Sequence, residues 1–257
     1  MNGRLIFTLS IIFILTGCSY IGGDKNTKKL VADGLTPKEL YEQADAKVSA
    51  GSLEQAIDQY ELLVASYPYS KYSIQARLDI AFNLLKRKKY NRSIQELDKF
   101  IKSYPDSQPI AYAYYLRGVA AEKKSHSILD DLLTDNAQRD VQSLKDAFDY
   151  FSILIKKFPD SKYSIDAQNR LVKIVNALAR HELYVAIYYT RIGANIAGIN
   201  RTKYIIETYP TSESVPDSLH LMAYNYDLIN ATDLAANSRS VLNLNFPEYT
   251  PSYSLNN

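Results

Sequence analysis

The sequence is poor in the residues that carry most protein chemistry: one cysteine, no tryptophan, two methionines and three histidines in 257 residues. A lone cysteine excludes both an internal disulfide and a multi-cysteine zinc site. His126, His181 and His220 show no ligand spacing, and a metal site needs three or four convergent ligands. The nine glycines are scattered rather than gathered into a phosphate-cradling loop. No hydrolase nucleophile motif is present. The acidic pair Asp130-Asp131 adjoins polar turn residues and reads as solvated. A formal net charge of +2 leaves no basic excess, which excludes the electrostatic footprint of a nucleic-acid binder. No catalytic residue, no metal, no cofactor and no nucleic-acid partner is therefore expected.

Long apolar runs are missing too. Leu5 to Leu15 falls far short of the ~20 residues a spanning helix needs. It follows a short segment with one positive charge, Arg4, and leads into Leu15-Thr16-Gly17-Cys18, so residues 1–17 read as a signal peptide. Small residues directly before a cysteine resemble a lipobox, where bacterial processing attaches diacylglycerol to sulfur and cleaves before the cysteine. The competing reading is an ordinary secretory signal with a chance cysteine, but no second cysteine competes for the role of Cys18. Ser19, rather than Asp, follows it and favours the outer membrane. Two or more acyl chains, at about 0.8 kcal/mol per buried methylene, make such an anchor permanent. Residues 18–36, with Gly22, Gly23, Asp24, Lys25, Asn26, Lys28 and Lys29, bury little and are expected to form a flexible tether.

Tyrosine, by contrast, is abundant, and aromatic-proline pairs recur at Tyr67-Pro68, Tyr104-Pro105, Phe158-Pro159, Tyr209-Pro210 and Phe246-Pro247. The prolines lie 37, 54, 51 and 37 residues apart, above the roughly 34-residue tetratricopeptide period. The internal register is stronger than the spacing. Before Pro68, Gly51 suits an inter-helix turn, Ala56 a small contact and Tyr60 a large one. Ser93, Leu97 and Phe100 repeat this before Pro105, and Ala147, Phe151 and Leu154 before Pro159. In the last unit Ala223 and Tyr226 fall on the first helix, Ala235 and Leu242 on the second. A small residue lets two helices approach, bulky ones fill the groove, and proline ends the helix. Ser70, Ser107, Ser161 and Ser212, two residues past the first four prolines, are placed to cap the next helix.

These features predict an all-α tetratricopeptide superhelix of about five helical hairpins over residues 37–247. The units fall near 37–70, 74–107, 110–161, 165–212 and 216–247, with 248–257 as a tail. The third is enlarged by about 17 residues, roughly Ser125 to Val141. That insert reads either as a loop on a binding face or as a helix extension that thickens the packing. In the fourth, Val172 to Ala197 reads as a long helical stretch with a break near Gly193. Lys86-Arg87-Lys88-Lys89 falls at a turn and reads as a solvated loop or, secondarily, an anionic-headgroup contact. Tyr67, Tyr69, Tyr72, Tyr112, Tyr114 and Tyr115 exceed what packing requires, and tyrosine suits protein interfaces.

The lipobox, the tether, five such units, and the stretches Tyr67-Pro68-Tyr69-Ser70-Lys71-Tyr72-Ser73, Tyr115-Leu116-Arg117-Gly118, Tyr188-Tyr189-Thr190-Arg191-Ile192-Gly193-Ala194 and Asn200-Arg201 together resemble the BamD family. These are the tetratricopeptide lipoproteins of the outer-membrane β-barrel assembly machine. The resemblance runs from about Thr36 to Pro247. It implies a non-enzymatic scaffold and substrate receptor, lipid-anchored at Cys18 on the periplasmic face of the outer membrane. It implies that Tyr67, Tyr69 and Tyr72 engage the C-terminal β-signal of unfolded outer-membrane proteins. It also implies that Arg191, Asn200 and Arg201 dock the membrane-proximal POTRA domain of a BamA-type barrel subunit, beside accessory lipoproteins of the same complex. The alternatives are a tetratricopeptide lipoprotein serving pilus-secretin assembly or cell-wall synthesis coordination, and, with only the insert in its favour, a periplasmic enzyme.

Overall fold

A computed structural model describes residues 34–129 and 137–255, which lie in one compact unit. The expected signal peptide, Cys18, nearly all of the tether, Asp130-Asp131 and the side chains from His126 to Asp140 lie outside the described residues. Ten helices follow one another: α1 (Pro37–Ser49), α2 (Leu53–Ser66), α3 (Lys71–Lys86), α4 (Tyr90–Ser103), α5 (Ile110–Leu129), α6 (Ala137–Lys157), α7 (Lys162–Arg191), α8 (Asn195–Thr208), α9 (Val215–Leu228) and α10 (Thr232–Asn245). They form five antiparallel hairpins, each helix packed on the next. Odd helices also pack on the next odd helix, from α1 through α9, whereas among the described residues no even helix packs its backbone on another even one, and α2 and α4 are linked only at side-chain reach, by Glu61 and Arg92 at 3.5 Å. The odd helices therefore share an inner face and the even ones lie outside, the arrangement of a tetratricopeptide superhelix.

Local chemistry explains the boundaries. Thr36 opens α1 with a capping box: its hydroxyl accepts from Glu39 N at 3.3 Å while Glu39 Oε2 accepts from Thr36 N at 2.7 Å. Even helices stop at the aromatic before each proline, because proline drives the preceding residue out of the helical region. Tyr67, Tyr104, Tyr209 and Phe246 sit at φ between −125° and −137°, each still donating its N–H four residues back. Four of the odd helices, α1, α3, α7 and α9, stop at a left-handed residue: Gly51, Lys88, Gly193 and Asn230. At each, two N–H groups return to the preceding turn, as Ser52 N does to Lys47 O and Gly51 N to Val48 O, which satisfies orphan carbonyls.

Capping by the serines holds in two of four places: Ser70 accepts from Tyr72 N at 3.2 Å and Ser161 from Tyr163 N at 3.3 Å. Ser212 accepts from Ser214 N at 3.1 Å, but α9 begins only at Val215, with Ser214 as its N-cap and no side chain capping it. Ser107 fails, and its hydroxyl donates instead to Tyr104 O at 2.8 Å. The residue two positions on is Pro109, which has no N–H to offer. In the third unit the additional residues lengthen both helices, to 20 and 21 residues against 14 for α2 and α4. In the fourth unit the long stretch begins earlier than the sequence suggests, at Lys162, and runs 30 residues to the Gly193 turn.

At the crossing of α5 and α6 a glycine stands directly against a buried ring. A Cβ on Gly118 would lie 2.5 Å from Phe151 Cε1, and Phe151 is fully buried. Gly118→Ala should therefore cost about 1–3 kcal/mol through overpacking, read as a lower urea midpoint with unchanged slope. Lys88→Gly should raise the midpoint, because lysine holds φ 58° there at a cost of roughly 1 kcal/mol that glycine does not incur.

Candidate protein-binding surfaces

The three tyrosines expected to receive substrate occupy different settings. Tyr67 ends α2, and its hydroxyl donates to Leu35 O at 2.7 Å while its carbonyl accepts from Ser73 Oγ at 2.6 Å. Its ring packs on the core of the first units, so it is a structural joint. Tyr69, in the turn, is 97% exposed. Tyr72 opens α3 with its ring 5.7 Å from that of Tyr41, under Lys71 Nζ at 5.3 Å.

Tyr41 was not singled out from the sequence, and it ties this region together. Its hydroxyl crosses from α1 to donate to Asp79 Oδ2 on α3 at 2.8 Å, and Gln75 Nε2 donates to the same carboxylate at 3.2 Å. Burial pushes the Asp79 carboxyl above the ordinary aspartate range, only partly offset by those hydrogen bonds. The Tyr41 hydroxyl is pushed up by burial and by Asp79. Tyr60 donates to Asp45 close by.

A second knot repeats the device two units on. Tyr115 on α5 donates to Asp166 Oδ2 on α7 at 2.7 Å. The rings of Tyr112 and Tyr115 each lie 5.2 Å from that of Tyr163. Burial pushes the Tyr112 hydroxyl up to about 12. Here, however, a cation is present: Arg170 Nε donates to Asp166 and its Nη1 to Glu122 Oε2, both at 2.6 Å. The hydrogen bonds from Tyr115 and Arg170 hold the Asp166 carboxyl below its usual range, the opposite of Asp79. A sequence signal for both knots exists, since Ser70-Lys71-Tyr72-Ser73-Ile74 recurs as Ser161-Lys162-Tyr163-Ser164-Ile165. Tyr114 is instead buried, its ring 5.5 Å from Phe158 and its hydroxyl bonded to Lys157 Nζ at 3.0 Å.

The residues expected to meet the barrel subunit flank the Gly193 turn. Arg191 ends α7 and donates through Nη2 to Ser254 O at 2.6 Å. Arg201 on α8 donates through Nη1 to Glu182 Oε2 at 2.9 Å, and the Glu182 side chain is only 9% exposed. Asn200 is exposed beside it. Tyr184, Tyr188 and Ile192 recur at helical spacing along one side of the end of α7, and all are more than half exposed, as is Ile196 at the start of α8. Arg191 and Arg201 thus already have internal partners. Such fixed guanidinium groups are pre-oriented, and Arg201 retains a side chain 45% exposed.

Other chemistry is sparse. Among the described residues no cluster of His, Cys, Asp and Glu is arranged to hold a metal ion, and no helix is long and apolar enough to cross a membrane. His181 and His220 are both held below the usual histidine range by burial.

Residues 33–242 match a family of proteins, YfiO, described as outer membrane lipoprotein. The outer membrane protein assembly factor BamD of Neisseria gonorrhoeae is 32% identical over 246 residues, covering 95% of this chain and 92% of its own. BamD of Xylella fastidiosa (strain Temecula1) and of Vibrio cholerae are each 30% identical over the same share of this chain, covering 82% and 99% of their own. Among solved structures, a thermophilic TPR protein of Thermus thermophilus covers 83% of this chain and 93% of its own at 13% identity and TM-score 0.39.

The two carboxylate knots should respond oppositely to charge removal. Arg170→Met leaves Asp166 and the buried Glu122 without their cation and should cost about 2 kcal/mol, toward the low side for a broken buried pair because Arg170 is 30% exposed. A depressed Asp166 adds stability above the ordinary aspartate pKa and loses it as pH falls through its own value. The penalty should therefore be largest at neutral pH and shrink below about pH 4. Asp79 has a raised pKa, so its ionisation weakens the fold as pH rises. Asp79→Asn should hold or raise the melting temperature at pH 7 relative to wild type, with the difference closing in acid.

Proposed function

Because this chain belongs to the YfiO family of outer-membrane lipoproteins, with the BamD assembly factors, we propose that its two ends divide the work of β-barrel assembly between them. Its role is in outer-membrane protein assembly, with the other subunits of that machine, and it is associated with the outer membrane. In the proposed division, the inner face of the first units receives the aromatic β-signal of unfolded barrel proteins. The surface around the Gly193 turn docks the membrane-proximal POTRA domain of the barrel subunit, and accessory lipoproteins join the same complex. Cys18 carries the lipid that holds the chain at the periplasmic face. The protein acts as a scaffold and receptor rather than an enzyme.

The observation that carries the receptor reading is the tyrosine lining of the inner face. Tyr41, Tyr72, Tyr112, Tyr115 and Tyr163 all stand on odd helices, and several bridge successive ones. Rigid aromatic rings with hydroxyl tips suit an aromatic-ended extended chain, at low entropic cost on binding. Tyr69 and Tyr72 stand at its edge as contacts, with Tyr67 setting the geometry beneath them. At the other end, Arg201 offers a guanidinium for a carboxylate, with Arg191 and Asn200 beside it and the exposed apolar strip around them.

The tests separate contact from support. Tyr69→Ala should weaken photo-crosslinking to a C-terminal β-signal peptide several-fold while leaving the melting temperature unchanged, since the ring is 97% exposed. Tyr67→Ala should lose both, because a hydroxyl bond and core packing disappear. Arg201→Gln and Asn200→Ala should reduce co-purification of the barrel subunit. Glutamine is preferable to glutamate at Arg201, where a second carboxylate would face the buried Glu182. Purification of the chain from gently solubilised membranes with no barrel subunit attached would overturn the reading.

A further inference from the structure

After Pro247 the chain turns back across the last unit. Asp217, buried in the first turn of α9, accepts from the hydroxyls of Tyr249 and Ser252 and from Ser252 N at 3.1 Å. The Tyr253 hydroxyl meets His220 Nδ1 at 2.8 Å. Arg191, reaching from α7, donates to Ser254 O. Tyr253 and Leu255 pack on the main core cluster, beside a cavity of about 370 Å³ lined in part by Arg180, Tyr184 and Glu213. Residues 249–255 have no regular secondary structure, and this segment is gripped between two odd helices.

The manner of the grip is that of a peptide in a groove. Two contacts read only backbone, one N–H and one carbonyl, and so tolerate different sequences. Asp217 and His220 select hydroxyl-bearing side chains, and the core edge takes an aromatic ring and an aliphatic one.

We propose that the groove between α7 and α9 is a second site for extended polypeptide, held in cis by the chain's own 249–255 segment. Its partner in trans is an extended, uncharged segment carrying a tyrosine and, two residues on, an aliphatic side chain, chemically like Ser252-Tyr253-Ser254-Leu255. This goes beyond the receptor role of the first units and does not rest on Tyr69 or Tyr72. Arg191 is common to this groove and to the barrel-subunit surface, so a partner that takes Arg191 also loosens the segment.

The test uses the full chain and a fluorescent peptide spanning residues 248–257. A cis segment competes at an effective concentration near millimolar, so the wild type should bind the peptide weakly. Tyr253→Ala/Leu255→Ala in the full chain should free the groove and bind the wild-type peptide at least about tenfold more tightly. A peptide carrying Tyr253→Ala should bind that variant at least about tenfold less well than the wild-type peptide does. Equal affinities for wild type and the double variant, with helix content intact, would overturn the proposal. Should the double variant lose helix, hydrogen exchange in the wild type decides the question. Amides of 249–255 that open before those of α9, and faster with excess peptide, support cis occupancy; protection matching α9 and indifferent to peptide overturns it. Neither arm touches Arg201, so co-purification of the barrel subunit stays an independent readout.

Discussion

Each hairpin in this array depends on two helices crossing closely enough to bury the stripes that neither could bury alone. The crossing is permitted by one small residue in each even helix, all buried: Ala56, Ser93, Gly198 and Ala235 in the first turn, and Ala147 midway along the longer α6. A larger side chain there would push the helices apart and open the groove filled by Tyr60, Leu97, Phe100, Phe151, Leu154 and Leu242. Where the small residue is polar, the structure satisfies it, as Ser93 Oγ does by donating to Ala81 O across the crossing at 2.7 Å. At Gly198 the space is used differently. Thr190 and the buried Asn225 approach to 3.0–3.1 Å of where a Cβ would stand, and Asn225 Nδ2 donates to Thr190 Oγ1.

Once the hairpins are closed, the odd helices are left to meet each other, and their contacts are largely polar-aromatic. Tyr41 with Asp79 and Tyr115 with Asp166 are the same arrangement used twice, a phenol from one odd helix bonded to a carboxylate on the next. Apolar contact alone would join successive units without fixing their angle, whereas a directional hydrogen bond constrains it. In the proposed receptor role the same rings would form the binding face, so stability and recognition would draw on one set of side chains, and a residue such as Tyr69, free of the packing, is where one could change without the other.

The two ends differ in how their chemistry is held. At the first units Tyr41 and Tyr72 are half-buried and Tyr69 is exposed. At the last units Arg191 is occupied by Ser254 and Arg201 by Glu182, so groups suited to a partner are already engaged within the chain. In the proposed docking, a partner there would exchange one set of hydrogen bonds for another, and its net gain would be a difference between two comparable terms.

The sequence alone determined the repeat, because its signals are local. Proline restricts the residue before it, glycine or asparagine takes the left-handed turn, and a small residue beside large ones marks a helix crossing; each acts within a few positions. It also determined that Tyr67, Tyr69 and Tyr72 stand together at one joint, though not that the first is a support and the second is free. Local rules miscarried at Ser107, where Pro109 lacks the amide a cap would need, and at Ser212, where the helix starts two residues too late for the cap. Only the tertiary structure decided which tyrosines face inward, that Tyr41 joins Tyr72, that Asp79 lacks the cation Asp166 has, and that Arg191 and Arg201 are already paired. Those facts depend on groups 19 to 63 residues apart being brought within about 3 Å, and on burial that removes solvent from one carboxylate while a guanidinium reaches the other.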